Sequence, residues 1–138
     1  MSDMNDFNSR VIEEFRANNG VVGGPFEGLP MVLLHSTGAK SGVERINPLA
    51  CLAEGDRLYV FASKAGADTH PDWYFNIIAN SRVTVERGTE SFAAVATPLE
   101  GAERERVYSL QAEAFPGFAE YQAKTSRVIP VIELTREK

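Results

Sequence analysis

Between Met31 and Thr97, short apolar runs succeed one another across turns that are mostly too brief to hold a crossover helix. Parallel neighbours need a connection of about a dozen residues or more, so this spacing forces most strand pairs to be antiparallel. Met31 to Leu34 is a continuous apolar run of the buried-strand type, and Val43 to Leu52 is strand-like again. Glu54-Gly55-Asp56 is a hairpin signal leading into Arg57 to Ala62. Arg82 to Arg87 alternates Val83 and Val85, Gly88 turns the chain, Glu90 to Thr97 pairs back, and Val128 to Leu134 supplies a last strand. Pro48 cannot donate to a ladder, so its strand is expected to be bulged or at an edge there. The pattern predicts an α+β chain that is mainly β, a mostly antiparallel sheet or barrel with peripheral helices.

The helices are read from a longer period. Phe7, Val11, Ile12 and Phe15 form one stripe of a helix over residues 1–19, closed by Asn18, Asn19 and Gly20. Such a helix covers a core, lies over a ligand pocket, or rests on a membrane surface. Pro71 opens a second helix running to Asn80, with Thr69 or His70 as its cap. Gly101 to Ala114 places Val107, Leu110 and Ala114 on one face; Pro116 breaks it, and a short helix around Phe118–Lys124 follows. With 138 residues the chain suits a single domain, 1–138, able to bury a core without disulfides. Its net charge of −5 gives no general argument for nucleic acid. Cys51, the sole cysteine, excludes an internal disulfide and a multi-cysteine metal site, and its apolar neighbours predict burial. No run approaches the ~18 apolar residues of a membrane span. The start MSDMNDFNSR lacks the basic and apolar regions of a signal peptide, so a cytoplasmic protein is expected, with membrane association through the first helix left open.

The chemistry gathers between Leu33 and Asn76. Ser36–Gly42 reads STGAKSG: glycines let backbone N–H groups turn toward one point as an anion nest, hydroxyls add donors, and Lys40 adds charge. It is not a phosphate loop of the GxxxxGK[ST] type. Ala62-Ser63-Lys64-Ala65-Gly66-Ala67 repeats the formula after another strand, so the two loops are expected to converge on one anion if those strands lie side by side. Arg45 adds a third cation, and Trp73 and Tyr74 stand ready to stack on or wall off a planar ring. His35 and His70, the only histidines, have no metal-ligand spacing, so no metal is expected. No hydrolase motif is present, and with no strong internal acid, base or nucleophile an enzyme here would borrow its chemistry from a cofactor.

LLHSTGAKSGVERINPL, VFASKAGADTHPDWYFNIIANSRVTVE and FPGFAEYQAKTSRVIPVIEL, in that order, resemble the deazaflavin-dependent nitroreductase family across 24–134. That resemblance implies a split β-barrel akin to the FMN-binding split barrels. It also implies hydride transfer from reduced coenzyme F-420, an 8-hydroxy-5-deazaflavin with an anionic tail. It marks Ala39, Lys40, Ser41 and Arg45, Ile46, Asn47, Pro48, Leu49, Ala50 as coenzyme contacts, with Phe61, Ala62, Ser63, Lys64 and Asp72, Trp73, Tyr74, Phe75, Asn76. Phe115, Phe118 and Tyr121 match a region closing over the substrate, Phe118 touching the coenzyme as well; Ser63 and Tyr121 are the implied catalytic residues. Ala39 replaces a residue often basic in the family, and Ala50, Phe115 and Phe118 lack phenols of its nitroimidazole-reducing member. The implied acceptor is therefore a hydrophobic molecule such as a quinone, activated alkene or nitro compound, with the quinone or activated alkene preferred over a nitroimidazole. An FMN-dependent oxidoreductase and a non-catalytic deazaflavin carrier stand as alternatives. Fold analogy leaves a homodimer open.

Overall fold

The pairing register closes the strands on one another. The structure, a computed structural model, describes residues 3–23, 28–55 and 57–137. Its strands are β1 (Met31–Thr37), β2 (Glu44–Glu54), β3 (Arg57–Phe61), β4 (Arg82–Arg87), β5 (Glu90–Pro98) and β6 (Val131–Arg136). They form a closed barrel in the order β1-β2-β3-β6-β5-β4, and every neighbouring pair is antiparallel. The helices are α1 (Asp3–Ala17), α2 (Asp72–Ala79), α3 (Gly101–Ala114) and α4 (Gly117–Ala123). This is the split-barrel architecture that the resemblance implied.

Alternation sorts the strand side chains between two surfaces. Val32, Leu34, Cys51, Val60, Val83, Val85, Ala94 and Leu134 fill the barrel interior, and Trp73 and Ile77 of α2 join them. On the outer surface, Val11 and Phe15 of α1 pack with Val22, Met31 and Leu33. On the other side, Val107 and Tyr108 of α3 and Phe118 of α4 cover Tyr59, Phe61 and Val131. The α1 stripe is thus spent on the barrel, its Phe15 only 1% exposed, which is the core-covering role, the first of the three open to such a helix. The side chain of Phe7 lies outside the described ones. Among the described residues no helix is long and apolar enough to cross a membrane.

β2 is the strand with divided duties. Its first part, Glu44 to Ala50, pairs with β1, while the ladder to β3 begins only at Cys51. Pro48 sits in the stretch with one neighbour, as its missing donor requires. The same constraint trims the last strand: Pro130 has no N–H to offer, and β6 starts at Val131 rather than Val128, which is 64% exposed. In α3 the buried face is Arg104, Val107, Tyr108 and Gln111, whereas Leu110 and Ala114 are exposed. Two polar residues in that stripe hid it from a reading by hydrophobicity. The α2 cap is Pro71 without a side-chain bond; the Thr69 hydroxyl instead accepts Lys64 Nζ at 3.1 Å.

Candidate functional site

A groove of about 1130 Å³ runs between α1, the Ser36–Gly42 loop, the start of β2 and the first turns of α2. Asn8, Ser9 and Ile12 of α1 line it with Gly38, Ala39, Lys40 and Ser41, with Glu44, Arg45, Ile46 and Asn47, and with Asp72, Trp73, Phe75 and Asn76. Ten of the residues marked by the resemblance are here. Local geometry accounts for the gathering. The loop leaves β1 and returns as β2 with Thr37 opposite Glu44, which holds Lys40 and Arg45 at one barrel end. α2 crosses that end and sends Asn76 into the loop. The Asn76 Oδ1 accepts the Ala39 N–H at 2.9 Å, and its Nδ2 lies 3.5 Å from the Ser36 hydroxyl. Asn76 is 8% exposed and is the strut between α2 and the loop.

The loop is not the open nest that its glycines predict. Gly38 N–H donates to Val43 O at 2.8 Å, Gly42 N–H to Gly38 O at 3.0 Å, and Val43 N–H to the Ser41 hydroxyl at 3.2 Å. With Ala39 engaged by Asn76, the loop N–H groups without a protein acceptor among the described residues are those of Lys40 and Ser41. Anion binding therefore falls mainly to side chains. Among the described residues neither Lys40 nor Arg45 forms an ion pair with a carboxylate. Glu44 and Asp72 line the same groove as these two cations.

The second loop lies elsewhere. β1 and β3 are not adjacent; both pair with β2, and the β3 ladder ends with Val60 opposite Cys51 while β1 ends with Thr37 opposite Glu44. Their exits are offset along β2 by roughly 20 Å at ~3.3 Å per residue. Convergence on one anion is thus ruled out by the stagger of the barrel. Lys64, in a left-handed conformation with φ of 46°, turns to Thr69, and Gly66 lies against α4. A Cβ on Gly66, at φ +83°, would stand 2.8 Å from the Tyr121 carbonyl oxygen, so this position needs glycine.

Arg127 shapes that loop, and nothing in its sequence spacing marks it. Its guanidinium donates to Ala67 O at 2.8 Å, Ser63 O at 2.9 Å and Ala62 O at 3.2 Å, and meets His70 Nδ1 at 3.1 Å. Burial, with Arg127 beside it, holds the His70 pKa below the ordinary histidine value. His70 also stacks on Tyr74 with ring centroids 4.5 Å apart, which turns Tyr74 away from the groove lining.

The remaining marked residues form an aromatic cluster under α3 and α4. Phe118, 6% exposed, meets Phe61 at 5.6 Å and Tyr121 at 5.3 Å, and its carbonyl accepts the Tyr108 hydroxyl. Phe115, Tyr121 and Ala50 pack against this cluster while half-buried. Phe118 is therefore buried away from the groove. Ser63 is half-buried before a 3-10 turn, without a side-chain cap bond. Ala50 touches both outer clusters, so the outer face of β2 from Ile46 to Ala50 leads from the groove to the aromatics. Pro48 lies on that path, whereas Leu49 packs toward the interior. The α1 contacts Asn8 and Ser9 were not marked; their one sequence signal is that they border the Ile12 stripe.

Cys51 is buried, and burial pushes its thiol up to about 11, which leaves it a small hydrophobe rather than a nucleophile. No set of metal-ligating side chains occurs among the described residues.

The chain matches, over residues 8–136, the family described as F420H(2)-dependent quinone reductase. An F420H(2)-dependent quinone reductase of Mycobacterium tuberculosis is 36% identical over 126 residues, covering 88% of this chain and 85% of the relative. A solved F420-H2 dependent reductase is 46% identical, covers 76% of this chain and 93% of its own, and superposes with a TM-score of 0.70. A structure described as a domain-swapped dimer is 40% identical, covers 96% and 99% of the two chains, and gives 0.71.

Proposed function

The chain belongs to the F420H(2)-dependent quinone reductase family, and from that premise we propose how its groove and aromatic cluster divide the work of an F-420-dependent oxidoreductase. It transfers a hydride from reduced coenzyme F-420 to a quinone-type acceptor. The observation that carries the assignment of residues is that Lys40 and Arg45, two cations without a carboxylate partner among the described residues, stand at one end of a large groove on an otherwise acidic chain.

The donor set fits this coenzyme. Lys40, Arg45 and the Ser41 hydroxyl suit phosphate and carboxylates, while Asp72, Glu44 and Asn47 accept hydrogen bonds from hydroxyls, and the two carboxylates repel anions. The anionic tail is accordingly assigned to the Lys40–Arg45 side. Trp73 and Phe75 supply flat walls, and Asn76 holds the loop in the shape that presents Lys40. The bound coenzyme supplies the hydride. The protein binds it, orients it and keeps water out. The outer face of β2, Ile46 to Ala50, is assigned to guide the ring toward the aromatic cluster. Phe115, Phe118 and Tyr121 are assigned to cover the acceptor, and Ser63 and Tyr121 to hydrogen-bond the reacting groups, with the Tyr121 hydroxyl or water giving the proton. The functional unit is taken as one domain, 1–138, comprising the 1–19 helix that walls the groove and the 24–134 barrel. Residues 1–2, 24–27, 56 and 138 lie outside the described residues. A homodimer in solution is proposed from the domain-swapped relative and is checked by light scattering.

Fluorescence of Trp73, the only tryptophan, tests the coenzyme. Titration with F-420 should quench it at micromolar levels or below, and a response to FMN alone would sink the assignment. Lys40→Ala and Arg45→Ala should each weaken F-420 by about 1–3 kcal/mol, the worth of a charge-assisted bond. Unchanged affinity in both means the tail lies elsewhere. Oxidation of reduced F-420 by menadione separates a reductase from a carrier that binds without turnover.

A further inference from the structure

The aromatic cluster under α3 and α4 contains one polar group with no work assigned to it. Gln111 is 0% exposed, and neither its Oε1 nor its Nε2 has a hydrogen-bond partner among the described residues. Buried amides are paired almost without exception, because both ends lose water on folding. Leu or Met of similar volume would fill the position without that cost.

Its surroundings say what it could meet. Gln111 follows Val107 and Tyr108 by one turn of α3 and precedes Phe115 by another, so the four share the face turned to the cluster. The other buried hydroxyl on that face is committed, since Tyr108 donates to the Phe118 carbonyl. Ala50, Phe115 and Tyr121 are half-buried and bring the cluster to the surface. A flat apolar molecule entering there meets aromatic faces and a single uncommitted buried amide among the described residues.

We propose that Gln111 determines acceptor specificity, its Nε2 donating to a carbonyl oxygen of a quinone seated against the Phe61–Phe118–Tyr121 aromatics. This rests on the reductase assignment above. The coenzyme, when bound, would supply the hydride; its addition at one carbonyl oxygen of the quinone forms an O–H bond and shifts the ring's π electrons onto the opposite carbonyl oxygen. That oxygen carries the developing charge until a proton from water or Tyr121 completes the hydroquinone. An N–H donor in a dry, low-dielectric pocket stabilises the charge and gives up no proton itself. The groove residues that grip the coenzyme are on other elements, so the two affinities separate.

Gln111→Leu and Gln111→Met in the full chain test this. Both variants should melt at a higher temperature than the parent, because the unpaired amide is gone. Both should bind F-420 within about twofold of the parent by Trp73 fluorescence. Their kcat/KM for menadione should fall by about ten- to a hundredfold, as expected when one buried hydrogen bond to the reacting carbonyl is lost. A lower melting temperature in both variants means that Gln111 has a structural partner such as a buried water, and overturns the proposal. Unchanged kcat/KM in variants of an active parent overturns it alone. A parent that binds F-420 yet reduces no menadione overturns the reductase assignment and this inference together.

Discussion

Asn76 is the place where fold and function can be pulled apart with one atom pair. Its buried side chain accepts the Ala39 N–H at 2.9 Å and lies 3.5 Å from the Ser36 hydroxyl, so only the first is a strong bond. Asn76→Ala removes that bond. The Ala39 N–H is exposed enough to find water, which puts the loss at the low end for a buried polar pair, about 1–2 kcal/mol. At ~2.1 cal/mol/K per residue, a chain of 138 residues has an unfolding entropy near 0.3 kcal/mol/K, so Tm should drop by about 3–7 °C. In the proposal above the same bond also holds the loop that presents Lys40 to the coenzyme. If its loss leaves the loop in the competent shape only about a tenth of the time, apparent F-420 affinity falls about tenfold. Asn76→Asp provides the control, since it keeps an acceptor for Ala39 and adds a negative charge to the groove. It should recover part of the stability and bind F-420 worse than the alanine variant. Denaturant unfolding and Trp73 titration measure the two quantities. An alanine variant that is destabilised but binds F-420 normally would refute the claim that this loop presents the tail-binding cation.

Other perturbations probe the supports around the site. Arg127→Met strips the bonds to Ala62, Ser63 and Ala67, and should cost about 2–4 kcal/mol, partly discounted by its exposure. Arg127→Lys should rescue less than half, because a single ammonium cannot reach three divergent carbonyls; hydrogen exchange confined to residues 62–70 reads both, and no faster exchange there would count against the staple. Arg16 binds Glu86 through Nε at 3.1 Å and Nη2 at 2.7 Å, and that pairing holds the Glu86 pKa below the ordinary carboxylate value. A depressed carboxylate stabilises the fold above its unfolded pKa and ceases to as pH falls through the folded one. α1 should therefore loosen in acid, and Glu86→Gln should reproduce this at neutral pH, seen as lost exchange protection over 8–17 and weaker F-420 binding; protection equal to the parent would break the link. Cys51, with its thiol near 11, should resist iodoacetamide at pH 8 in the folded state and react on unfolding; labelling of the native protein would place it nearer the surface.

The barrel was legible because its signals are local. Alternation and hairpin turns name antiparallel neighbours, and Pro48 announced the stretch of β2 that pairs on one side only. The cations Lys40 and Arg45 were visible for a similar reason: they flank one turn, so sequence distance and spatial distance agree. What escaped depends on closure. Whether two lysine loops meet is decided by the stagger of β1 and β3 along β2, a property of the whole barrel to which no segment refers. Arg127 was silent because its partners are backbone carbonyls, which leave no residue-type signature at the other end. Gln111 was hidden by the opposite effect, a polar letter in an apolar stripe that displaced the predicted α3 face onto Leu110 and Ala114. That displacement is itself informative. A helix face read by hydrophobicity fails where a buried polar side chain has been retained, and retention without an internal partner is a cost to the fold alone. The point at which the pattern of α3 breaks is therefore where a ligand would best complete the structure, and it falls beside the cluster of Phe115, Phe118 and Tyr121 to which the acceptor is assigned in the proposal above.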